Sequence, residues 1–397
     1  MRLDRCAKSV RTRKGLWLIS FLCFVAYAWL ATSIGPVLPH ISAEYLLSPA
    51  TAGFIAGLYS LGGLLSLAGG YISDRFNRAL AGSLFLALFS ASSILVAASG
   101  NEWMIGAFLL LMGTFAGFLE AAVNALISEV YAERRGFSMV LFHISWNVGS
   151  TLGPPFAAFS IAMLGGWRLA YFIPALFLLL LSAALSIVGK KIEGGAVVTR
   201  RKVRTSTNLH YVPIVVSTIM IFYVAVEMGL SNWLPSILES MGSGEIEAGL
   251  VNGLFWCFMG IGRILWAPAI ERLGYGKTVL TSSSLSLISI LAASLQLPAI
   301  FKMGLWTLTG FCLAPIFPAT IAWITSLKPD SAGLLSGLAY SNGAFGAFVS
   351  TWSAGLVASY FGISTSQYVF PVFVLLMIVD VVLALRLERA TSKQKRH

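Results

Sequence analysis

The chain has 397 residues, of which 57% are apolar and 11% charged, with a formal net charge of +11. A soluble domain carries about 25% charged residues, so this composition excludes a water-covered globular protein, and a mean hydropathy of +0.83 makes lipid the natural solvent. The four cysteines, Cys6, Cys23, Cys257 and Cys312, show no metal-ligand spacing, and no nucleophile–base set or phosphate loop marks an enzyme.

A bilayer core of about 30 Å is crossed by ~20 helical residues. Taken in chain order, apolar stretches of that size are expected near 15–39, 50–72, 79–99, 103–131, 136–165 and 167–189, then near 211–238, 246–269, 277–298, 303–327, 332–360 and 364–386. In lipid every backbone polar group must be paired within the chain, which makes these stretches helices. The basic leader before the first (Arg2, Arg5, Lys8, Arg11, Arg13 and Lys14) precedes a stretch too long for a signal peptide.

Cytoplasmic loops of membrane proteins are rich in Lys and Arg. With both termini inside and twelve spans, every Lys and Arg except Arg168 and Lys302 falls on the cytoplasmic side. The net charge is therefore an orientation signal and no nucleic-acid partner is expected. Localisation is expected in the cell inner (plasma) membrane, as a multi-pass monomer whose partners are the bilayer and a small-molecule substrate.

The basic, polar stretch 190–210 separates two halves, 1–189 and 211–397. Between the second and third spans stands Gly70-Tyr-Ile-Ser-Asp74-Arg75-Phe-Asn-Arg78, and half a chain later stands Pro268-Ala-Ile-Glu271-Arg272-Leu-Gly274. Internal duplication marks transporter folds, with the substrate site between the halves near mid-membrane. The first of these loops resembles the Gly-x-x-x-Asp-Arg-x-x-Arg signature of the major facilitator superfamily, with a weaker copy at Glu271-Arg272. The resemblance implies an all-α integral membrane protein of twelve transmembrane helices in two pseudo-symmetric six-helix bundles, working by alternating access. It also implies a gating role for Gly70, Asp74, Arg75, Arg78, Glu271 and Arg272. Arg263, near the cytoplasmic end of the eighth span, is grouped with them.

Ionisable residues inside spans are costly and mark function. The central ones are Glu120, His143 and Glu227; Asp380 reads as structural. No Lys or Arg is expected at mid-span, which ranks neutral or cationic cargo above anions. Glu120 and Asn124 share a helix face at i, i+4, and His143, Asn147 and Ser150 repeat on the next span beside Trp146. A carboxyl, an amide, an indole and an imidazole around one cavity suit a polyol. The segments Glu120 to Asn124 and Trp146-Asn147 with Gly149 are similar to those of fucose-permease-type sugar–proton symporters. Tyr223, Glu227, Asn232 and Trp233 resemble a Glu-and-Trp segment of related sugar carriers, as does Ala314-Pro315-Ile-Phe-Pro318 in the tenth span.

That resemblance implies proton coupling through Glu120 and Glu227. It implies substrate contacts from Asn124, His143, Trp146, Asn147, Tyr223, Asn232, Trp256 and Asn342. The symporters' first-span acid is missing from Thr32 to Pro39, so the coupling ion is a proton or sodium, and no other cofactor and no metal are expected. The rival reading is a proton-coupled exporter of lipophilic or cationic compounds, since Gly149-Ser-Thr-Leu-Gly153-Pro154 resembles a drug-antiporter motif. A transporter-like sensor that binds without moving substrate is a third reading.

Overall fold

The protein is described by a computed structural model covering the backbone of residues 2–75, 77–130, 135–193 and 211–394. Most of the expected linker, from residue 194 to 210, and Arg134 lie outside the described residues, as do the side chains of the basic leader and of Asp74. Every regular element among the described residues is helical.

The first span is α1 (Arg2–Thr32) and α2 (Ile34–Glu44), offset at Ser33. The second is α3 (Pro49–Gly62), a 3-10 turn at Gly63–Leu65 and α4 (Ser66–Arg75). Then come α5 (Arg78–Ala97), α6 (Glu102–Val130), α7 (Arg135–Met163) and α8 (Trp167–Glu193). The second half repeats the plan with α9 (Tyr211–Ser240), α10 (Glu245–Leu265) running into α11 (Ala267–Leu273), and α12 (Tyr275–Ala293). The tenth span breaks at Ala314-Pro315 into α13 (Ala299–Leu313) and α14 (Ile316–Leu327). It is followed by α15 (Ala332–Phe361) and α16 (Val369–Gln394). Proline has no N–H to donate and its ring crowds the preceding turn, which explains the break at Pro315. Ten described segments are long and apolar enough to cross a bilayer; the second and fifth spans, α3–α4 and α7, complete the twelve.

Caps set where helices begin. The Ser48 side chain accepts a hydrogen bond from the Thr51 N–H (3.2 Å), with Pro49 in the first helical turn. Inside the Asp-Arg-x-x-Arg loop, Asn77 Oδ1 accepts from the Ala79 and Leu80 N–H groups at 2.8 and 3.0 Å, so this residue of the motif starts α5. That cap satisfies two of the N–H groups a helix start leaves unpaired.

Small residues bring the helices together, as expected where lipid offers no hydrophobic drive for helix association. A Cβ at Gly113 of α6 would run into the Tyr59 carbonyl of α3, and one at Gly310 of α13 into the Phe255 carbonyl of α10. Likewise Gly149 of α7 abuts the Val25 carbonyl of α1, and Gly346 of α15 abuts the Ile221 carbonyl of α9. Each pair of contacts joins corresponding helices of the two halves, so the internal repeat is written in backbone crossings as well as in the loop motif. The expected antiporter segment Gly149 to Pro154 takes part in this packing: Gly153 sits against the Trp29 carbonyl.

Between the halves, α3 packs on α15, α7 on α10 and α2 on α9. These contacts gather at one end of the molecule. The Ala50 N–H donates to Ser359 Oγ (2.8 Å), His40 Nε2 lies 3.5 Å from Glu245 Oε1, and Gly53 leaves no room for a Cβ beside Thr351 and Gly355. The conformation is closed at this end, which is opposite the chain termini. At the same end a carboxylate cluster ties the first bundle together. Glu44 accepts from Trp167 Nε1 (2.7 Å) and from both terminal nitrogens of Arg168 (2.7 and 2.6 Å), and Arg168 also donates to the Tyr45 hydroxyl (3.0 Å). Arg168, one of the two cations outside the charge bias, therefore has a structural partner.

The fold makes two predictions. Arg168→Leu is expected to lower stability by about 1 kcal/mol, discounted for a pair more than a third exposed, measured as a fall in melting temperature of the purified protein. Gly53→Val is expected to wedge the closed end apart. Its signature is faster thiol labelling of a cysteine placed at Ser236 on the pathway side of α9, at an unchanged melting temperature.

Candidate functional site

A central cavity lies between the halves, with about 900 Å³ of atom-free space counting the solvent at its mouth. Its wall combines aromatic side chains from both halves (Phe24, Tyr27, Tyr59, Trp146, Phe317 and Tyr340) with four ionisable groups: Glu120, His143, Glu227 and Arg263.

One pole of the cavity is built on α9 and α10. Tyr223 and Glu227 are one helical turn apart, and the Tyr223 hydroxyl donates to Glu227 Oε1 at 2.6 Å. Arg263 Nη2 lies 3.6 Å from the same oxygen, and Arg263 Nη1 donates to Asn147 Oδ1 of α7 at 2.9 Å. Asn147 in turn donates to the Trp256 carbonyl at 3.4 Å. Glu227 is only 7% exposed, so its carboxyl is held by the tyrosine and the guanidinium rather than by water. Arg263 stands 6.0 Å from the face of Phe317, and its Nε has no acceptor.

This corrects the expectation of a cavity without cations. α10 does carry Arg263 close to its end at Leu265, but the long side chain turns inward to meet Glu227 and Asn147. Because Asn147 belongs to the other half, Arg263 still joins the bundles, although inside the cavity and away from the loop motifs.

The opposite pole belongs to the first half. Glu120 of α6 faces the cavity near Tyr27, Tyr59 and Tyr340, and makes no hydrogen bond among the described residues. His143 and Trp146 of α7 line the same cavity. The Trp146 ring meets Tyr27 edge-on at 5.1 Å and Trp256 at 6.2 Å.

Of the expected site residues, Glu120, Glu227, His143 and Trp146 thus line one cavity, while Tyr223 and Asn147 hold its charged groups. The others point elsewhere. Asn232 donates to Thr351 Oγ1 (3.1 Å), and Asn342 to the Ser217 carbonyl and hydroxyl (both 3.1 Å). Trp256 Nε1 donates to Ser231 Oγ (2.9 Å), next to the Asn252–Ser231 bonds. Asn124 does not line the cavity, and its Oδ1 is buried without a partner. Asn232, Trp256 and Asn342 serve as interhelical bonds, the common use of polar groups in spans. Asp380 accepts from Thr218 (2.8 Å) and is structural, as expected. Of the loop residues, Arg75 lies 4.4 Å over the Tyr71 ring, Gly70 faces Ala121, and Glu271 and Arg272 are exposed on α11. Arg78 is also engaged.

Sequence reasoning missed Tyr27, Tyr59 and Phe317. For Tyr27 a signal existed: it lies two residues after Val25, as Tyr223 lies two after Ile221, and those two carbonyls make corresponding glycine crossings.

The Major Facilitator Superfamily family model matches residues 17–242 and again 215–397. The chain is 24% identical over 347 residues to the fosmidomycin resistance protein of Escherichia coli (strain K12), covering 82% of this chain and 81% of that one. It is 21% identical over 421 residues to the 4-hydroxybenzoate transporter PcaK of Acinetobacter baylyi, covering 90% of both. Its fold is similar to that of a bacterial homologue of the human lysosomal transporter Spinster in an inward-facing, unoccupied conformation, with a TM-score of 0.81, 15% identity, and coverage of 94% of this chain and 97% of that chain. With both halves matched by the family and twelve helical spans around a central cavity, the chain belongs to the Major Facilitator Superfamily and is a membrane transporter, not an enzyme.

Proposed function

We infer that the protein is a proton-coupled transporter of small organic anions, with compact aromatic carboxylates the favoured class. The observation that carries this reading is Arg263. It is a guanidinium in an aromatic-lined cavity, with one donor unused, and its carboxylate partner stands at 3.6 Å rather than in a close bidentate pair. Arginine presents a planar fork that fits a carboxylate. Phe317, Tyr340 and Trp146 offer faces and edges for a ring. The relative named for 4-hydroxybenzoate, which spans 90% of both chains, supports the same class.

Glu227 supplies the coupling. An incoming carboxylate competes with Glu227 for Arg263, and a buried carboxylate left without its cation is costly to keep charged. Glu227 therefore takes up a proton as the anion binds, with Tyr223 still bonded to it. The loaded site then holds one guanidinium, one substrate anion and one neutral carboxyl, the same net charge as the empty site. The bundles rock around it, releasing anion and proton together.

The charge balance separates this reading from the sugar symporter. One proton with one monovalent anion moves no net charge, so the membrane potential contributes nothing. A proton carried with a neutral sugar gains about 2.3 kcal/mol per 100 mV. The sugar reading is favoured by Glu120 and Trp146 lining the same cavity, a carboxyl and an indole.

In proteoliposomes, uptake of labelled benzoate is expected to follow an inward-directed pH gradient, at up to about tenfold accumulation per pH unit. It is expected to be unmoved by a valinomycin-clamped potential. Uptake driven by the potential alone would contradict the reading. Glu227→Gln is expected to keep counterflow exchange but lose gradient-driven accumulation, and Arg263→Leu to weaken benzoate binding by about 100-fold or more, since charge-assisted bonds are the strong ones.

A further inference from the structure

The cavity has two poles, and the transport reading above uses only one. Among the described residues Glu120 is the one carboxyl that the first half adds to the cavity wall, and it is bonded to no described side chain. Glu120 of the first half and Arg263 of the second line the same cavity, together with Tyr340, so a ligand held by the guanidinium shares its space with a carboxyl from the other half. A carboxyl group offers an acceptor oxygen whether or not it is ionised, and an unpartnered polar group in a confined site gains from a donor brought to it. Tyr27, Trp146 and Phe317 line the same space and offer faces and edges to a ring.

We propose that Glu120 is a specificity-determining residue that selects substrates carrying a hydrogen-bond donor, a hydroxyl or amine, at the end of the ring remote from their carboxylate. The proposal rests on Arg263 holding the carboxylate. A site built to receive a donor discriminates strongly against an analogue lacking one, because its own polar group is then left unpaired. Tyr27, Tyr59 and Tyr340 line the cavity in either case, so the donor on the ligand is the variable.

The test is equilibrium binding to the purified full-length transporter near neutral pH with three probes: benzoate, 4-hydroxybenzoate and 4-methoxybenzoate. The methoxy compound fills the same end but has no donor. 4-Hydroxybenzoate is expected to bind about tenfold or more tighter than either of the others. Glu120→Leu is expected to bring that ratio down to about threefold or less. Equal affinities for the three acids in the unaltered protein, or a ratio that survives Glu120→Leu, would overturn the proposal while leaving the role of Arg263 intact. Should Glu120→Leu fail to fold, Glu120→Gln, whose neutral oxygen is the weaker acceptor, is expected to lower the ratio, and an unchanged ratio sinks the idea. Binding of none of the acids, or binding indifferent to Arg263→Leu, overturns the organic-anion reading and this proposal with it.

Discussion

The contact on which the rest depends is the one Arg263 makes with Glu227 and Asn147. A guanidinium in the middle of a membrane protein is tolerated only with partners. Here one partner is a carboxylate on the same half and the other an amide on the opposite half. The pair is loose enough to be opened by a competing anion and buried enough that opening it has an electrostatic consequence. Asn147 adds the mechanical side. Whatever the guanidinium binds is felt at a contact between the bundles, so occupancy of the site and the relation of the two halves are not independent.

That arrangement needs helices placed with little slack, and the glycine crossings provide it. Gly113 and Gly310, and Gly149 and Gly346, set backbone against backbone in corresponding helix pairs. Each bundle is thereby a rigid unit whose helices cannot part without losing close packing. The Glu44–Arg168–Trp167 cluster reinforces the first bundle at its closed end. Rigid bundles that meet along discrete helix pairs, α3 with α15 and α7 with α10, are what a rocking motion requires. A charge exposed to lipid would carry a penalty with no partner to offset it, and outside the cavity Glu44 and Arg168 pair with each other while Asp380 accepts from Thr218.

Much of this was legible in the sequence, and the rest was hidden for physical reasons. Span count followed from hydropathy and the Lys and Arg bias, and the acid–Arg loops pointed to the family. Glu120, Glu227, His143 and Trp146 were readable because an ionisable or amphipathic residue in an apolar run has few bland explanations. Arg263 was misplaced because span position locates a Cα, whereas a long side chain decides for itself which way it reaches. Asn232, Asn342 and Trp256 were over-read for a related reason: polar residues in spans bond neighbouring helices as readily as ligands, and only geometry separates the two uses. Tyr27 and Tyr59 were passed over because an aromatic in an apolar helix looks like packing until a cavity opens beside it.

The central claim is that substrate anion and proton bind the same charged pair, one to Arg263 and the other to Glu227. Calorimetric titration of the purified transporter with benzoate, in buffers of different ionisation enthalpy near neutral pH, measures it directly. The account predicts uptake of about one proton per anion bound, abolished in Glu227→Gln. Binding with no proton exchanged, or with a proton released, would contradict it.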